Sequence, residues 1–120
     1  MSESILISVK RILGMDEQYT VFDLDIMTHI NSVFNTLTQL NVGPKNGFMI
    51  EDASAKWEDF LGNDINLNAV KSYVCLRVKV LFDPPSTSFH LNAIENQCRE
   101  MEWRLSVYAD PPVSPTIIEE

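Results

Sequence analysis

The sequence predicts an all-α protein, a compact bundle of about four to five helices. Three observations carry this. Apolar residues recur at three- and four-residue steps over several long stretches, the spacing of one helical face. Only four glycines, with six prolines placed at apparent breaks, suit a mainly helical chain better than a many-turned β-sandwich. Between two of the long patterns stands Asp83-Pro84-Pro85. Proline lacks an N–H and pushes the residue before it out of the α region, so this segment is read as a stiff corner that fixes how two helices cross.

The first helix is expected from about Ser4 to Leu13, with Ile5, Val9, Ile12 and Leu13 at helical spacing. Ser4 or Ser2 caps its start, and Gly14 sits where a left-handed residue ends a helix. A short linker from Met15 to Val21 reads as polar. Asp23 is then placed as the cap of a longer helix extending to about Leu40. Its stripe of Ile26, Ile30, Val33, Leu37 and Leu40, widened by Met27 and Phe34, marks it as a central helix.

Val42 to Gly47 is turn chemistry, with a Gly-Pro and an Asn-Gly pair. A short extended segment or one side of a hairpin follows near residues 47–51. A helical turn or two, opened by Asp52 or Ser54 and ended by Gly62, carries Trp57, Phe60 and Leu61. After a polar loop, Asn66 or Asn68 caps a helix from about Leu67 to Phe82 that is apolar nearly all round, hence buried on several sides. Beyond the corner, Ser86, Thr87 and Ser88 compete to cap the last helix, about Ser88 to Tyr108. Leu91, Ile94, Cys98, Met101, Leu105 and Tyr108 form its stripe, and Glu95–Arg99 on the other face has favourable i,i+4 order. The expected organisation is one helical domain over residues 1–109 and a flexible, acidic, Pro-rich tail over 110–120. Ile117 and Ile118 are out of character for a solvating tail and read as anchors that order on a partner.

Composition narrows the function. At 120 residues and 45% hydrophobic content the chain makes one modest core. A net charge of −8 argues against gripping a nucleic-acid backbone or an anionic membrane surface. The N-terminal stretch lacks a basic n-region, and its apolar run is broken by Ser8, Lys10 and Arg11, so no signal peptide is expected, nor any membrane span. Cys75 and Cys98, with no CxxC and no third cysteine, read as buried free thiols in a protein made in a reducing cytoplasm, although spacing alone does not exclude a disulfide between them.

No catalytic constellation emerges. Asp23, Asp25 and His29 have metal-like spacing but lack a further ligand, His90 being far off in sequence. Neither cysteine has the glycine-rich or strained context that presents a nucleophile to a histidine. Glu51, Asp52, Glu58 and Asp59 around Trp57 read as a solvated helix face, not a glycosidase pair. Gly43-Pro44-Lys45-Asn46-Gly47 lacks the spacing and the Gly-Lys-Ser/Thr of a phosphate loop. No cofactor and no enzyme activity is expected. Trp103, set apart from the Met101–Leu105 stripe and next to Arg104, reads either as part of a second packing face within the domain or as a subunit-contact anchor, and Tyr108 closes the same helix beside the tail.

The chain resembles the head–tail connector proteins of tailed phages, also called adaptor, head-completion or DNA-packaging proteins, most of all those in phages and prophages of Gram-positive bacteria. The resemblance covers about Ile5 to Tyr108. It is carried by Ile7-Ser8-Val9-Lys10, Phe22-Asp23-Leu24-Asp25-Ile26, His29-Ile30-Asn31-Ser32, Gln39-Leu40-Asn41-Val42-Gly43-Pro44, Trp57, the Tyr73–Leu81 helix, Phe82-Asp83-Pro84-Pro85 and Glu100-Met101-Glu102-Trp103-Arg104-Leu105. Some relatives read Gln-Leu-Arg-Gly where this chain has Gln39-Leu40-Asn41-Val42-Gly43. The resemblance implies an all-α virion protein that assembles as a ring, commonly twelvefold, beneath the portal at the head–tail junction. Such a ring extends the DNA channel without sequence-specific binding and gives the stopper or tail proteins a platform. The rival expectation is a small acidic phage-encoded regulatory protein acting as monomer or dimer.

Overall fold

The computed structural model describes residues 3–109, and the tail with Ile117 and Ile118 lies outside them. Five helices follow in order: α1 (Ile5–Ile12), α2 (Asp23–Gln39), α3 (Trp57–Leu61), α4 (Leu67–Phe82) and α5 (Ser88–Ala109). No strand is formed among the described residues; the single antiparallel bridge joins Ser4 to Lys56.

Local chemistry explains the boundaries. Ser4 Oγ accepts the Ile7 N–H at 3.3 Å and caps α1. Gly14 (φ +80°) ends it, with Met15 N–H donating to Lys10 O and Gly14 N–H to Arg11 O. These are the paired backbone bonds of a Schellman cap. The same pattern closes α2. Val42 N–H reaches Leu37 O and Asn41 N–H reaches Thr38 O, with Asn41 in the left-handed position at φ 65°. Asn tolerates that conformation better than most residues because its short side chain bonds locally. Thr87 proves to be the cap of α5, accepting the His90 N–H at 3.2 Å.

Asp23 does not cap α2. It is the first residue of that helix, and its carboxylate lies 2.8 Å from Lys10 Nζ. Lys10 is 1% exposed and also donates to the carbonyls of Glu17 (3.0 Å) and Tyr19 (2.7 Å). A buried ammonium is tolerable only when its donors are met in this way. The α1–α2 linker is thereby wrapped around one charge.

The hub is α4, not α2. It packs against α1, α2, α3 and α5, burying Val70, Tyr73, Val74, Val78 and Val80. Its apolar surface runs round the helix because it has a neighbour on nearly every side. A second focus is aromatic: Phe34 meets Phe60 at 4.7 Å and Phe48 at 5.0 Å between ring centroids. Trp57 joins them, its indole N–H donating to Ser8 Oγ at 3.1 Å. The segment over 47–51 makes no hairpin. Asn31 takes the place of a strand partner there, accepting from Ile50 N–H (2.7 Å) and donating to Ile50 O (3.0 Å).

The outlying element is α5. Over 22 residues it buries only Cys98 and Leu105. Ile94 and Met101 pack against the core partly buried, and polar links also hold α5 to α4: Tyr73 Oη donates to Glu102 at 2.6 Å, and Arg77 pairs with Glu95 at 2.7 Å. Glu95 therefore turns inward to α4 rather than along the helix to Arg99, which faces Asn96. The only i,i+4 ion pair formed on this helix among the described residues is Arg104–Glu100, at 2.6 Å.

Candidate functional site

The turn between α4 and α5 contains Asp83, Pro84 and Pro85. Asp83 N–H donates to Lys79 O at 2.8 Å as the last bond of α4, and α5 resumes at Ser88. This return lays α5 antiparallel along α4. Its far end arrives beside the loop after α2, where Tyr108 and Ala109 share a hollow with Asn41 and Gly43.

Trp103, Arg104 and Tyr108 come together on that end of α5, around a shallow hollow with Val107. Trp103 is 65% and Tyr108 63% exposed. Both are aromatic side chains that ordinarily bury much of their surface. The charges around them are sorted. Glu95 and Glu102 are engaged with α4, leaving Arg99, Arg104 and Glu100 on the outward face.

A second exposed apolar surface lies at the opposite end of α2, and sequence reasoning missed it. Tyr19 and Val21, in the linker that reads as polar, Phe22 just before α2 and Leu24 in its first turn are all exposed. Phe22 packs edge-on against Phe82 at 5.7 Å, and His29 does so at 6.4 Å. Together with Asp25 and Thr28 they line a groove. The signal was present: four apolar side chains within six residues, out of phase with the Ile26–Ile30 stripe. Of the acidic residues, Asp25 stands exposed on its lining, while the nearby Lys10 is spent on Asp23. α2 has 17 residues, so the two surfaces stand about 25 Å apart along it at ~1.5 Å per residue.

The groups that resemble chemistry are accounted for structurally. Asp23 neutralises Lys10, which dissolves the Asp23–Asp25–His29 grouping. Asp52 accepts from the Ser54 N–H and hydroxyl, and Asp59 from the Lys56 N–H. Burial pushes the Cys75 thiol up to about 11 and raises Cys98 as well, disfavouring the thiolate needed for nucleophilic attack. Burial, reinforced by Glu102, likewise holds the Tyr73 phenol protonated. No helix among the described residues is long and apolar enough to cross a membrane.

A small all-α protein whose polar groups fix its helices, while aromatic and aliphatic side chains stand exposed at two ends, is built to work by protein–protein contact. The model of the phage connector protein family matches residues 5–112, and the chain belongs to that family. Its role is therefore that of a structural phage connector. No curated protein and no solved structure matches the chain.

Proposed function

We propose that the chain is a head–tail adaptor of a tailed phage, assembling as a ring, twelvefold in the simplest case, beneath the portal at the head–tail junction. The ring extends the DNA channel and carries the stopper or tail-completion protein. The observation that carries this reading is the pair of exposed apolar surfaces at opposite ends of α2. A ring closed by one repeated contact needs two different patches on each subunit, and this chain has them. A net charge of −8 suits a lumen through which DNA passes without being held. Trp103, Arg104 and Tyr108 act as contact residues, and Ile117 and Ile118 as anchors for the portal.

Mass by light scattering, with and without the portal oligomer, tests the proposal. A species of about twelve chain masses, alone or only on the portal, supports it. A monomer or dimer indifferent to the portal overturns it in favour of a small regulatory protein. Removing residues 111–120 should leave thermal unfolding unchanged and weaken portal binding; equal binding would dismiss the anchor role of Ile117 and Ile118.

A further inference from the structure

Resting on the ring reading, we propose that the two surfaces are each other's partners. The outward face of α5, led by Trp103 and Arg104, docks into the Phe22–His29–Phe82 groove of the next copy, with Arg104 meeting Asp25 at its rim. Three features support this match. The groove is walled by aromatic rings set edge to face, with Phe22 and His29 each against Phe82. That is a surface to which an indole is well suited. Charges also correspond. Asp25 is exposed on the lining of the groove, whereas α5 turns Glu95 and Glu102 inward and shows Arg99 and Arg104. In a chain of net charge −8, a face whose outward ionic groups are two arginines and one glutamate suits a rim bearing Asp25.

The third feature is placement. Phe22 stands at the start of α2, and Tyr108 lies beside Asn41 just past its end. One copy cannot satisfy both surfaces by folding on itself; pairing groove with groove would set Asp25 against Asp25, and pairing α5 with α5 would set Arg104 against Arg104. In the proposed ring the contact joins unlike surfaces and propagates from copy to copy; a species of only two chain masses would instead mean a reciprocal two-fold exchange and would overturn the ring. Arg104 is free to change partners. Its bond to Glu100 is between side chains 65% and 59% exposed, the kind of pair that holds little energy in water.

Charge reversal tests the pairing on full-length chain bound to the portal oligomer. Asp25 and Arg104 are both exposed, so Asp25→Arg and Arg104→Glu should keep the helical circular dichroism and the melting temperature. Each alone should lower ring assembly at least tenfold. The double variant Asp25→Arg/Arg104→Glu should recover it. Mixing the two single variants should also recover it, because every contact in an alternating ring then joins opposite charges. Singles that assemble like the unmodified chain, or a double variant and mixture no better than the singles, would overturn the pairing. In either case a ring formed by the unmodified chain leaves the connector reading standing. An unmodified chain that ignores the portal removes both. Trp103→Ala gives a charge-independent check: loss of assembly with the Asp25→Arg/Arg104→Glu background unable to compensate is expected, and full assembly would count against the groove.

Discussion

Gly43 is the position where a single methyl group should do the most damage. Its φ is +89°, and a Cβ built there would lie 2.5 Å from Phe60 Cζ, about 1 Å inside the ordinary carbon–carbon contact distance. Phe60 has nowhere to go. It is 3% exposed and packs on Phe34 at 4.7 Å and on Phe48 at 5.2 Å. Two costs combine in Gly43→Ala. A left-handed backbone costs a residue with a Cβ roughly 1–2 kcal/mol, and overpacking a close-packed core costs roughly 1–3 kcal/mol more, for a total of about 2–5 kcal/mol.

Gly14 provides the control, since it has φ +80° with nothing within 4 Å of a built Cβ. Gly14→Ala should show the backbone cost alone, about 1–2 kcal/mol. Urea unfolding followed by circular dichroism reads both, as a drop in midpoint at constant m-value. Gly43→Ala should fall further than Gly14→Ala, and Phe60→Leu added to Gly43→Ala should return part of the difference. Equal losses at the two glycines would refute the close approach of Gly43 to the Phe60 ring.

Other perturbations follow from the same contacts. Lys10→Ala strands Asp23 and the carbonyls of Glu17 and Tyr19; it should cost about 3 kcal/mol, the low end for a broken buried pair, because Asp23 is 24% exposed. A loss under 1 kcal/mol in urea unfolding would contradict it. Asn41→Val places a β-branched residue at φ 65° and should cost about 1–2 kcal/mol, where Asn41→Gly should be neutral or stabilising. Hydrogen bonds from Lys71 and then Arg11 hold the Glu3 carboxyl below the usual range. A depressed folded-state value means that its contribution is present above the unfolded value and is lost as pH falls through the folded one. Glu3→Gln should therefore flatten the fall in stability below about pH 4, by a modest amount because Glu3 is 37% exposed. An unchanged acid limb of the stability curve would refute this.

Much of the fold was legible because its signals are local. Helical spacing and caps are read within a few residues, so α4 appears in the sequence with the bounds found in the structure, and Gly14, Gly62 and the Asp83-Pro84-Pro85 corner stop helices where they occur. Partnership across the chain was less legible. Glu95 has an i,i+4 arginine in sequence but chooses Arg77, 18 residues away. Asn31 and Ile50 pair over 19 residues, and no local pattern announces an amide side chain standing in for a strand. Asp23 looks like a cap until Lys10 is seen to be buried beside it. At the candidate site, Trp103 and Tyr108 were visible as aromatics at the edge of a helical stripe. The groove was hidden because one of its walls, Phe82, belongs to a helix that is distant in sequence.

The way α5 is held has a consequence for assembly. A fully buried aliphatic side chain contributes about 1.5–3 kcal/mol, and α4 buries five residues against two for the longer α5. Ile94 and Met101 of α5 pack on the core only partly buried, and the polar links to α4 are the Tyr73–Glu102 hydrogen bond and the Arg77–Glu95 ion pair, the latter 27% and 31% exposed. An element with few buried apolar contacts opens at a lower free energy than the global unfolding of the chain. Amide hydrogen exchange should accordingly show α5 exchanging faster than the Val70–Val78 part of α4, most of all around Arg99 to Tyr108. When copies assemble, docking of Trp103 should slow those same amides, since a partner that binds only the ordered helix stabilises it. Protection in the isolated chain that is equal along α4 and α5 would contradict this account. It would mean that α5 is fixed before assembly and that the two polar links to α4 carry more than their partial exposure allows.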